Sequence, residues 1–201
     1  NNLSIITGGP GTGKTTTVSK LLGLLFSENN NLKVALAAQT GKAAARLKES
    51  LDNSRANINL PENILQKFDE IVPSTLHRLL GYKYKSVDFK HNKENPLPYD
   101  VIILDESSMI DLPMMAKVFD AVGPATRLLL LGDKNQLASV DVGSVFGDLC
   151  DSVGDSSNRF NKDYHSLLSK FIQDSNFDSF QTEMIGLANN ITELKRSYRF
   201  S

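Results

Sequence analysis

The chain has 201 residues, a formal net charge of -1 at pH 7, and 40% hydrophobic and 22% charged residues. This composition is that of a globular domain, and it excludes a disordered tail, a fibre and, with no apolar run long enough to span a bilayer, a membrane protein. Cys150 is the single cysteine, which excludes an internal disulfide and a multi-cysteine zinc site and is compatible with a reducing compartment; we expect a cytoplasmic location.

The elements alternate short apolar runs with amphipathic segments, a pattern that favours βα units around a parallel sheet. In chain order it predicts a strand at 3–7, a helix at 14–26, a strand at 33–38, helices at 43–51 and 62–71, a short helix opening at 74–77, a strand at 101–104, a helix at 112–122 and a strand at 127–131. An exposed basic loop is expected at 82–98. We predict a single domain over 1–201, in which 151–182 is a polar, mobile connection with one helix near 164–171.

A glycine-rich stretch follows the first predicted strand. Residues 8–15 read Gly-Gly-Pro-Gly-Thr-Gly-Lys-Thr, the pattern of a phosphate-binding loop between a strand and a helix. Glycines let backbone N–H groups turn toward phosphates, and the lysine adds a full positive charge. The stretch predicts a triphosphate site lined by Gly9, Gly11, Thr12, Gly13, Lys14, Thr15 and Thr16. Thr15 also offers a hydroxyl to Mg²⁺, whereas a glycine-rich turn with a surface lysine is the alternative interpretation.

Acidic and amide side chains follow two later predicted strands. Asp105 and Glu106 follow the strand at 101–104, where Asp105 can hold Mg²⁺ and Glu106 can orient or deprotonate an attacking water. Gln136 follows the next strand and can hydrogen-bond a γ-phosphate. These residues favour hydrolysis of ATP. An acidic cluster at a helix N-terminus and a polar turn capped by Asp133 remain open as interpretations of the same residues.

Six ordered motifs resemble those of the superfamily 1 DNA helicases, and most closely those of the RecD family. They lie at 8–17, 40–44, 74–81, 105–113, 132–140 and 196–200. The resemblance implies an α/β, RecA-like P-loop NTPase domain with a mostly parallel sheet, the cofactors ATP and Mg²⁺, and 5′ to 3′ movement along single-stranded DNA. It also implies assembly with RecB-like and RecC-like subunits, as the alpha subunit of an exodeoxyribonuclease V complex in DNA double-strand break repair and recombination.

The resemblance assigns roles beyond the triphosphate site. Arg199 matches an arginine that reaches the γ-phosphate, and Tyr198 beside it would stack on the adenine. The residues that match DNA-backbone contacts are Thr40, Lys42, Thr75 and His77. Lys42 as plain helix surface and His77 as a packed histidine remain open. Two departures from the family, Gln39 for proline and Ser107 for alanine, cast more doubt on DNA affinity than on ATP binding.

Two other classes of function remain open. A P-loop nucleotide or small-molecule kinase shares the glycine-rich loop but does not need Glu106, Gln136 and a late arginine together. A nucleotide-dependent interaction module would use the acidic stretch 151–178 as its binding face. The chain ends before the later helicase motifs, so we expect it to be a fragment without the N-terminal and second motor domains. Such a fragment should bind nucleotide weakly, hydrolyse it poorly and not unwind DNA alone.

Overall fold

The computed structural model describes residues 2–55, 58–84, 86, 88–136, 145–154, 158–172, 177–183 and 186–198. Its strands are β1 (Leu3–Gly8), β2 (Val34–Ala38), β3 (Pro73–Thr75), β4 (Val101–Asp105), β5 (Arg127–Gly132) and β6 (Ile191–Leu194). Its α-helices are α1 (Lys14–Glu28), α2 (Gly41–Arg55), α3 (Glu62–Asp69), α4 (Leu76–Leu80), α5 (Leu112–Ala121), α6 (Val145–Asp151) and α7 (Lys162–Leu168). Short 3-10 helices cover Ser107–Met109, Phe177–Phe180 and Leu187–Asn190.

The described strands form one parallel sheet in the order β3-β2-β4-β5-β1-β6. Parallel neighbours need crossover connections, which the intervening helices supply on the faces of the sheet. Because the carboxyl ends of parallel strands meet at one edge, the loops that follow β1, β4 and β5 come together there. The predicted class, a RecA-like P-loop domain with a parallel sheet flanked by helices, is confirmed.

The central strands bury alternate side chains on opposite faces of the sheet. In β4, Ile102 and Leu104 pack in a cluster with residues of α4, α5 and α6, whereas Val101 and Ile103 pack in a cluster with residues of α1, α2 and α3. All four side chains are at most 3% exposed. Burial of a side chain of this size stabilises the fold by about 1.5–3 kcal/mol. The core therefore covers both faces of the sheet and fixes the position of the strand ends.

Side-chain caps set the starts of two helices that border the carboxyl edge. Thr75 Oγ1 accepts the N–H of Arg78 at 3.3 Å and begins α4. Asp111 Oδ1 accepts the N–H of Met114 at 2.7 Å and begins α5, in whose first turn Pro113 lies. Each cap of this kind contributes about 1 kcal/mol. The short helix predicted to open at 74–77 and the helix predicted at 112–122 are thereby confirmed.

Among the described strands and α-helices, β3, α6 and β6 were not predicted from the sequence. Both strands are short edge strands with one neighbour each, β2 for β3 and β1 for β6. Their residues read Pro-Ser-Thr and Ile-Thr-Glu-Leu, and neither segment has the apolar run that signals a buried strand. They join the sheet through backbone hydrogen bonds, for which short sequence patterns give little signal.

Other differences are small. The helix predicted at 43–51 begins two residues earlier, at Gly41, where Thr40 Oγ1 accepts the N–H of Ala43 at 3.1 Å. The helix expected near 164–171 is present as α7, Lys162–Leu168. None of the helices in the described ranges has the length and apolar character needed to cross a bilayer.

Candidate active site

The loop between β1 and α1 bends at two glycines. Gly11 and Gly13 have φ values of 76° and 90°, a left-handed conformation that glycine adopts without steric cost. Thr12 lies within the loop, where its Oγ1 donates to the carbonyl oxygen of Gly9 at 2.8 Å. The first backbone N–H groups of an α-helix have no partner within the helix, and its N-terminus carries a partial positive charge. The loop and the start of α1 together therefore have the backbone geometry that suits an anion.

Lys14, the first residue of α1, folds its side chain over this loop. Its ammonium donates to the carbonyl oxygens of Gly8 and Gly9, the latter at 3.2 Å. Burial lowers the pKa of Lys14, and attraction to Asp105 and Asp133 opposes that change. A bound anion would restore the charge that burial disfavours, so the lysine is suited to a phosphate group.

The acid pair shares a cleft of about 450 Å³ with Lys14. The cleft is lined by Pro10, Lys14, Asp105, Glu106, Gly132, Asp133 and Gln136. Burial raises the pKa of Asp105, while the N–H of Glu106 and the charge of Lys14 act in the opposite direction. The structure thus brings together residues from the carboxyl ends of β1, β4 and β5 that lie far apart in the chain.

Glu106 occupies a strained backbone position directly after β4. Its φ of 52° is left-handed, which costs a residue other than glycine about 1–2 kcal/mol. The 3-10 helix Ser107–Met109 begins at this turn, and the N–H of Met109 donates to the Glu106 carbonyl at 2.9 Å. Strain of this kind clusters at functional sites, where the surrounding structure maintains it.

Gln136 is tied to the same turn by a buried serine. Ser108, 3% exposed, donates its hydroxyl to Gln136 Oε1 at 3.2 Å. The backbone N–H of Gln136 donates to the carbonyl oxygen of Asp133 at 3.1 Å. Because the side-chain oxygen of Gln136 accepts from Ser108, its side-chain nitrogen is the atom that can donate a hydrogen bond to a phosphate or a water.

A second cleft, of about 760 Å³, adjoins the glycine-rich loop. It is lined by Gly11, Thr12, Gly13, Lys14, Thr15, Thr16, Thr17, Lys20, Ser50, Leu194 and Tyr198. The N–H of Tyr198 donates to the carbonyl oxygen of Gly11 at 2.9 Å, and the Arg196 guanidinium lies 5.1 Å from the centroid of the Tyr198 ring. The segment after β6 therefore places an exposed aromatic ring beside the cleft. Arg199, predicted to reach the γ-phosphate, lies outside the described residues.

Comparison with known proteins identifies the family of the chain. A protein-family model described as an AAA domain matches residues 1–142. The RecBCD enzyme subunit RecD of Mycolicibacterium smegmatis is 44% identical over 180 residues, which are 83% of this chain. The chain belongs to the AAA domain family and is RecD-like.

Two further relatives have similar levels of identity. The RecBCD enzyme subunit RecD of Haemophilus influenzae is 50% identical over 155 residues, 75% of this RecD-like chain. The ATP-dependent RecD2 DNA helicase of Deinococcus radiodurans is 41% identical over 143 residues, 71% of the chain. The chain spans 32%, 24% and 17% of the lengths of the three relatives, in the order given.

The residues predicted to contact DNA lie at or just beyond the carboxyl ends of β2 and β3, at the same edge of the sheet. Thr75 pairs with Ala38 in the sheet register, and Thr40 lies two residues beyond Ala38. Both threonine hydroxyls accept a helix N–H, which leaves each O–H as a donor for a phosphate oxygen. Lys42 is exposed on α2. His77 is exposed, but one side of its ring packs edge to face against Phe89, with 5.8 Å between the ring centroids. The interpretation of His77 as a packed histidine therefore applies to that side of the ring.

The two departures of this RecD-like chain from its family have different surroundings. Ser107 is fully buried, and its hydroxyl donates to the carbonyl oxygen of Leu104 at 3.0 Å. Gln39 has a buried Oε1 for which the described residues provide no hydrogen-bond donor. An unpaired buried acceptor costs about 1–3 kcal/mol. Ser107 is therefore accommodated at its position, whereas Gln39 is not fully satisfied.

Asp133 and Ser108 make contacts in the site that were not predicted from the sequence. Asp133, considered from the sequence only as a turn cap, lines the cleft and attracts Lys14, although its Oδ1 also accepts the N–H of Asn135 at 3.0 Å. Ser108 was not singled out. The end of a buried strand was a usable signal for Asp133, but no local signal pairs Ser108 with a residue 28 positions later.

Proposed function

We propose that this chain is the ATP-binding and hydrolysing motor domain of a RecD-like DNA helicase. One observation supports the proposal most directly. Lys14 lines both clefts, so its ammonium lies between the phosphate loop and the Asp105–Glu106 pair. A triphosphate on the loop would present its terminal phosphate toward the acid pair. The name of the Deinococcus radiodurans relative supports the use of ATP.

Residues of the two clefts, Asp105 of the one and Thr15 of the other, fit a magnesium ion. The described residues contain no group of three or more histidine, cysteine, aspartate or glutamate side chains suited to a metal. Mg²⁺ commonly needs only one or two protein oxygens, because substrate phosphates and waters complete its shell. Asp105, whose pKa burial raises, and the Thr15 hydroxyl are hard oxygen donors that would hold it. When bound, the ion would neutralise charge on the phosphate oxygens.

The remaining roles belong to side chains of the chain itself. Glu106 accepts a proton from the attacking water and orients it. Gln136, held by Ser108, donates to the γ-phosphate or to that water. Lys14 and the loop amides hold the phosphates, and Arg199 stabilises the charge that develops in the transition state. Tyr198 stacks on the base.

We further propose that the full-length protein moves along single-stranded DNA with 5′ to 3′ polarity, and that Thr40, Lys42, Thr75 and His77 of this chain contact the DNA strand. Contacts to the phosphate backbone suit a motor, because they position a strand without reading its sequence. The names of the RecD relatives support assembly with RecB-like and RecC-like subunits. We propose that the assembled protein acts in the repair and recombination of DNA in the cytoplasm. Copurification of the tagged full-length protein with both subunits tests that assembly.

The activity is tested by ATP turnover of the full-length protein with and without single-stranded DNA. We expect strong stimulation by DNA, and we expect Lys14→Ala to abolish turnover while the circular dichroism spectrum is unchanged. Lys117→Ala is the matched control, because Lys117 is an exposed lysine of α5 whose ion pair is with Asp88 at 3.6 Å. Turnover retained in Lys14→Ala would contradict the assigned site.

The same assay separates the other two classes of function. Phosphate transfer to an added nucleotide or small-molecule acceptor would identify a kinase. Nucleotide binding without any turnover would identify an interaction module. The presence of Glu106 and Gln136 in the cleft of Asp105 favours transfer to water.

A further inference from the structure

A partly buried ion pair joins two strands that do not touch each other. Lys134 Nζ lies 2.9 Å from Glu193 Oε1, and the two side chains are 24% and 17% exposed. Lys134 follows β5 and Glu193 is on β6, whereas β1 lies between these strands. In the register of the sheet, Thr7 of β1 pairs with Gly132 on one side and with Glu193 on the other. The ion pair therefore spans the carboxyl end of β1.

The lysine end of the pair belongs to the turn that carries Gln136. The N–H of Lys134 donates to Thr7 Oγ1 at 3.0 Å, and Thr7 is fully buried. Asp133 and Gln136, on either side of Lys134, both line the cleft of the acid pair. The Lys134 side chain therefore extends from the same turn that places the Gln136 amide.

The backbone of β6 at Glu193 is hydrogen-bonded on both of its edges. On one side β6 pairs with β1. On the other side Asn158 donates its Nδ2 to the Glu193 carbonyl at 2.8 Å and accepts the Glu193 N–H on its Oδ1 at 2.7 Å. The side-chain amide of Asn158 thus makes the two backbone hydrogen bonds that a residue of a neighbouring strand would make. Five residues later the N–H of Tyr198 binds the carbonyl of Gly11 in the phosphate loop.

We propose that Lys134 and Glu193 are a positioning pair that couples the Gln136 turn to the segment that ends at Tyr198. The proposal rests on the proposed function, in which these two segments contact opposite ends of the nucleotide. Neither residue lines the two clefts of the site, so the pair acts through its neighbours and not on the reacting atoms. Removing Glu193 deprives Lys134 of this partner, and removing Lys134 leaves Glu193 beside Lys195, 3.9 Å away, so both members must be varied to isolate the coupling.

Hydrogen exchange of the full-length protein without nucleotide tests the coupling directly. We expect Glu193→Gln to speed amide exchange at 134–136, and Lys134→Met to speed exchange of Tyr198, each by about tenfold. Lys195→Met is the control, because Lys195 lies 3.9 Å from Glu193 Oε2 and is 72% exposed. If each variant speeds exchange only in its own segment, the pair is structural and the proposal is wrong.

A double-mutant cycle in ATP turnover gives a second measure. We expect each single variant to lower kcat about tenfold, the combined Lys134→Met and Glu193→Gln variant to be no slower than either, and the charge swap Lys134→Glu with Glu193→Lys to recover turnover. Multiplied losses in the double variant, or a lowered melting temperature with kcat unchanged, would overturn the proposal. A wild-type protein without turnover would contradict the proposed function, while hydrogen exchange would still decide the coupling.

Discussion

At the scale of single residues, the site holds two charges that burial disfavours. Burial lowers the pKa of Lys14 and raises that of Asp105, and their mutual attraction reverses neither direction. Each group would therefore gain from a ligand of opposite charge, a phosphate for the lysine and a cation for the carboxylate. A nucleotide with its magnesium ion supplies both charges. The lowered pKa of Lys14 and the raised pKa of Asp105 are therefore consistent with a ligand of this kind.

Glu106 can be separated from the residues that bind nucleotide. Glu106→Gln keeps the size of the side chain and its left-handed backbone but removes the proton acceptor. We expect ATP turnover to fall by about 10² to 10⁴, the usual contribution of a general base, with little change in nucleotide affinity. Single-turnover kinetics and a fluorescent-nucleotide titration measure the two quantities. Glu94→Gln, an exposed glutamate, serves as control. A parallel loss of affinity would assign Glu106 to binding instead.

Cys150 links the stability of the fold to pH. Burial raises the pKa of its thiol from 9.0 to about 11, although a hydrogen bond with Thr7 opposes the rise. Because the folded state favours the neutral thiol, this contribution to stability is complete below pH 9 and is lost as pH rises toward 11.

The loss can be measured by urea unfolding of the wild type and of Cys150→Ala. Between pH 8 and pH 10, we expect the difference between their free energies of unfolding to fall by about 1 kcal/mol. The alanine variant controls for every other group that titrates in that range. A difference that stays constant would show that the thiol ionises equally well in the folded and unfolded chains.

At the scale of elements, the junction of β1 with the phosphate loop tolerates no side chain. A Cβ on Gly8 would lie 2.7 Å from the carbonyl oxygen of Leu194 in β6 and 2.7 Å from Thr12 Oγ1. We expect Gly8→Ala to destabilise the protein by about 1–3 kcal/mol, as overpacking commonly does. Gly9→Ala is the matched control, because its Cβ would meet only Asp133 Oδ2 at 3.8 Å. Urea unfolding compares the two, and equal stabilities would show that β6 can move away.

The elements that could be predicted from the sequence are those with a strong local pattern. β1, β4 and β5 are apolar runs, and the phosphate loop and the Asp105–Glu106 pair stand directly at strand ends, so both the sheet and the two halves of the site were predictable. β3 and β6 were not, because edge strands depend on partners distant in the chain. For the same reason the bond from Ser108 to Gln136 and the pair of Lys134 with Glu193 required the structure.

At the scale of the whole molecule, the candidate groups are confined to one edge of the sheet. The phosphate loop, the acid pair and Gln136 follow β1, β4 and β5, and the residues predicted to contact DNA follow β2 and β3. A change at the nucleotide site can therefore reach the residues predicted to contact DNA across neighbouring strand ends. Ala38 of β2 pairs with Asp105 on one side and with Thr75 on the other, which makes β2 the direct connection.

This polarity of the sheet can be tested with two lysines at opposite ends of β2. Lys42 lies beyond its carboxyl end and Lys33 just before its amino end, and both are exposed. Lys42→Ala should weaken binding of single-stranded DNA and lower the slope of log affinity against log salt by about 0.7, the value for one phosphate contact on a single strand. Lys33→Ala should change neither. Fluorescence anisotropy over a range of salt concentrations measures the DNA affinity and its salt dependence. An equal effect of the two substitutions would show that single-stranded DNA does not bind at the carboxyl edge of the sheet.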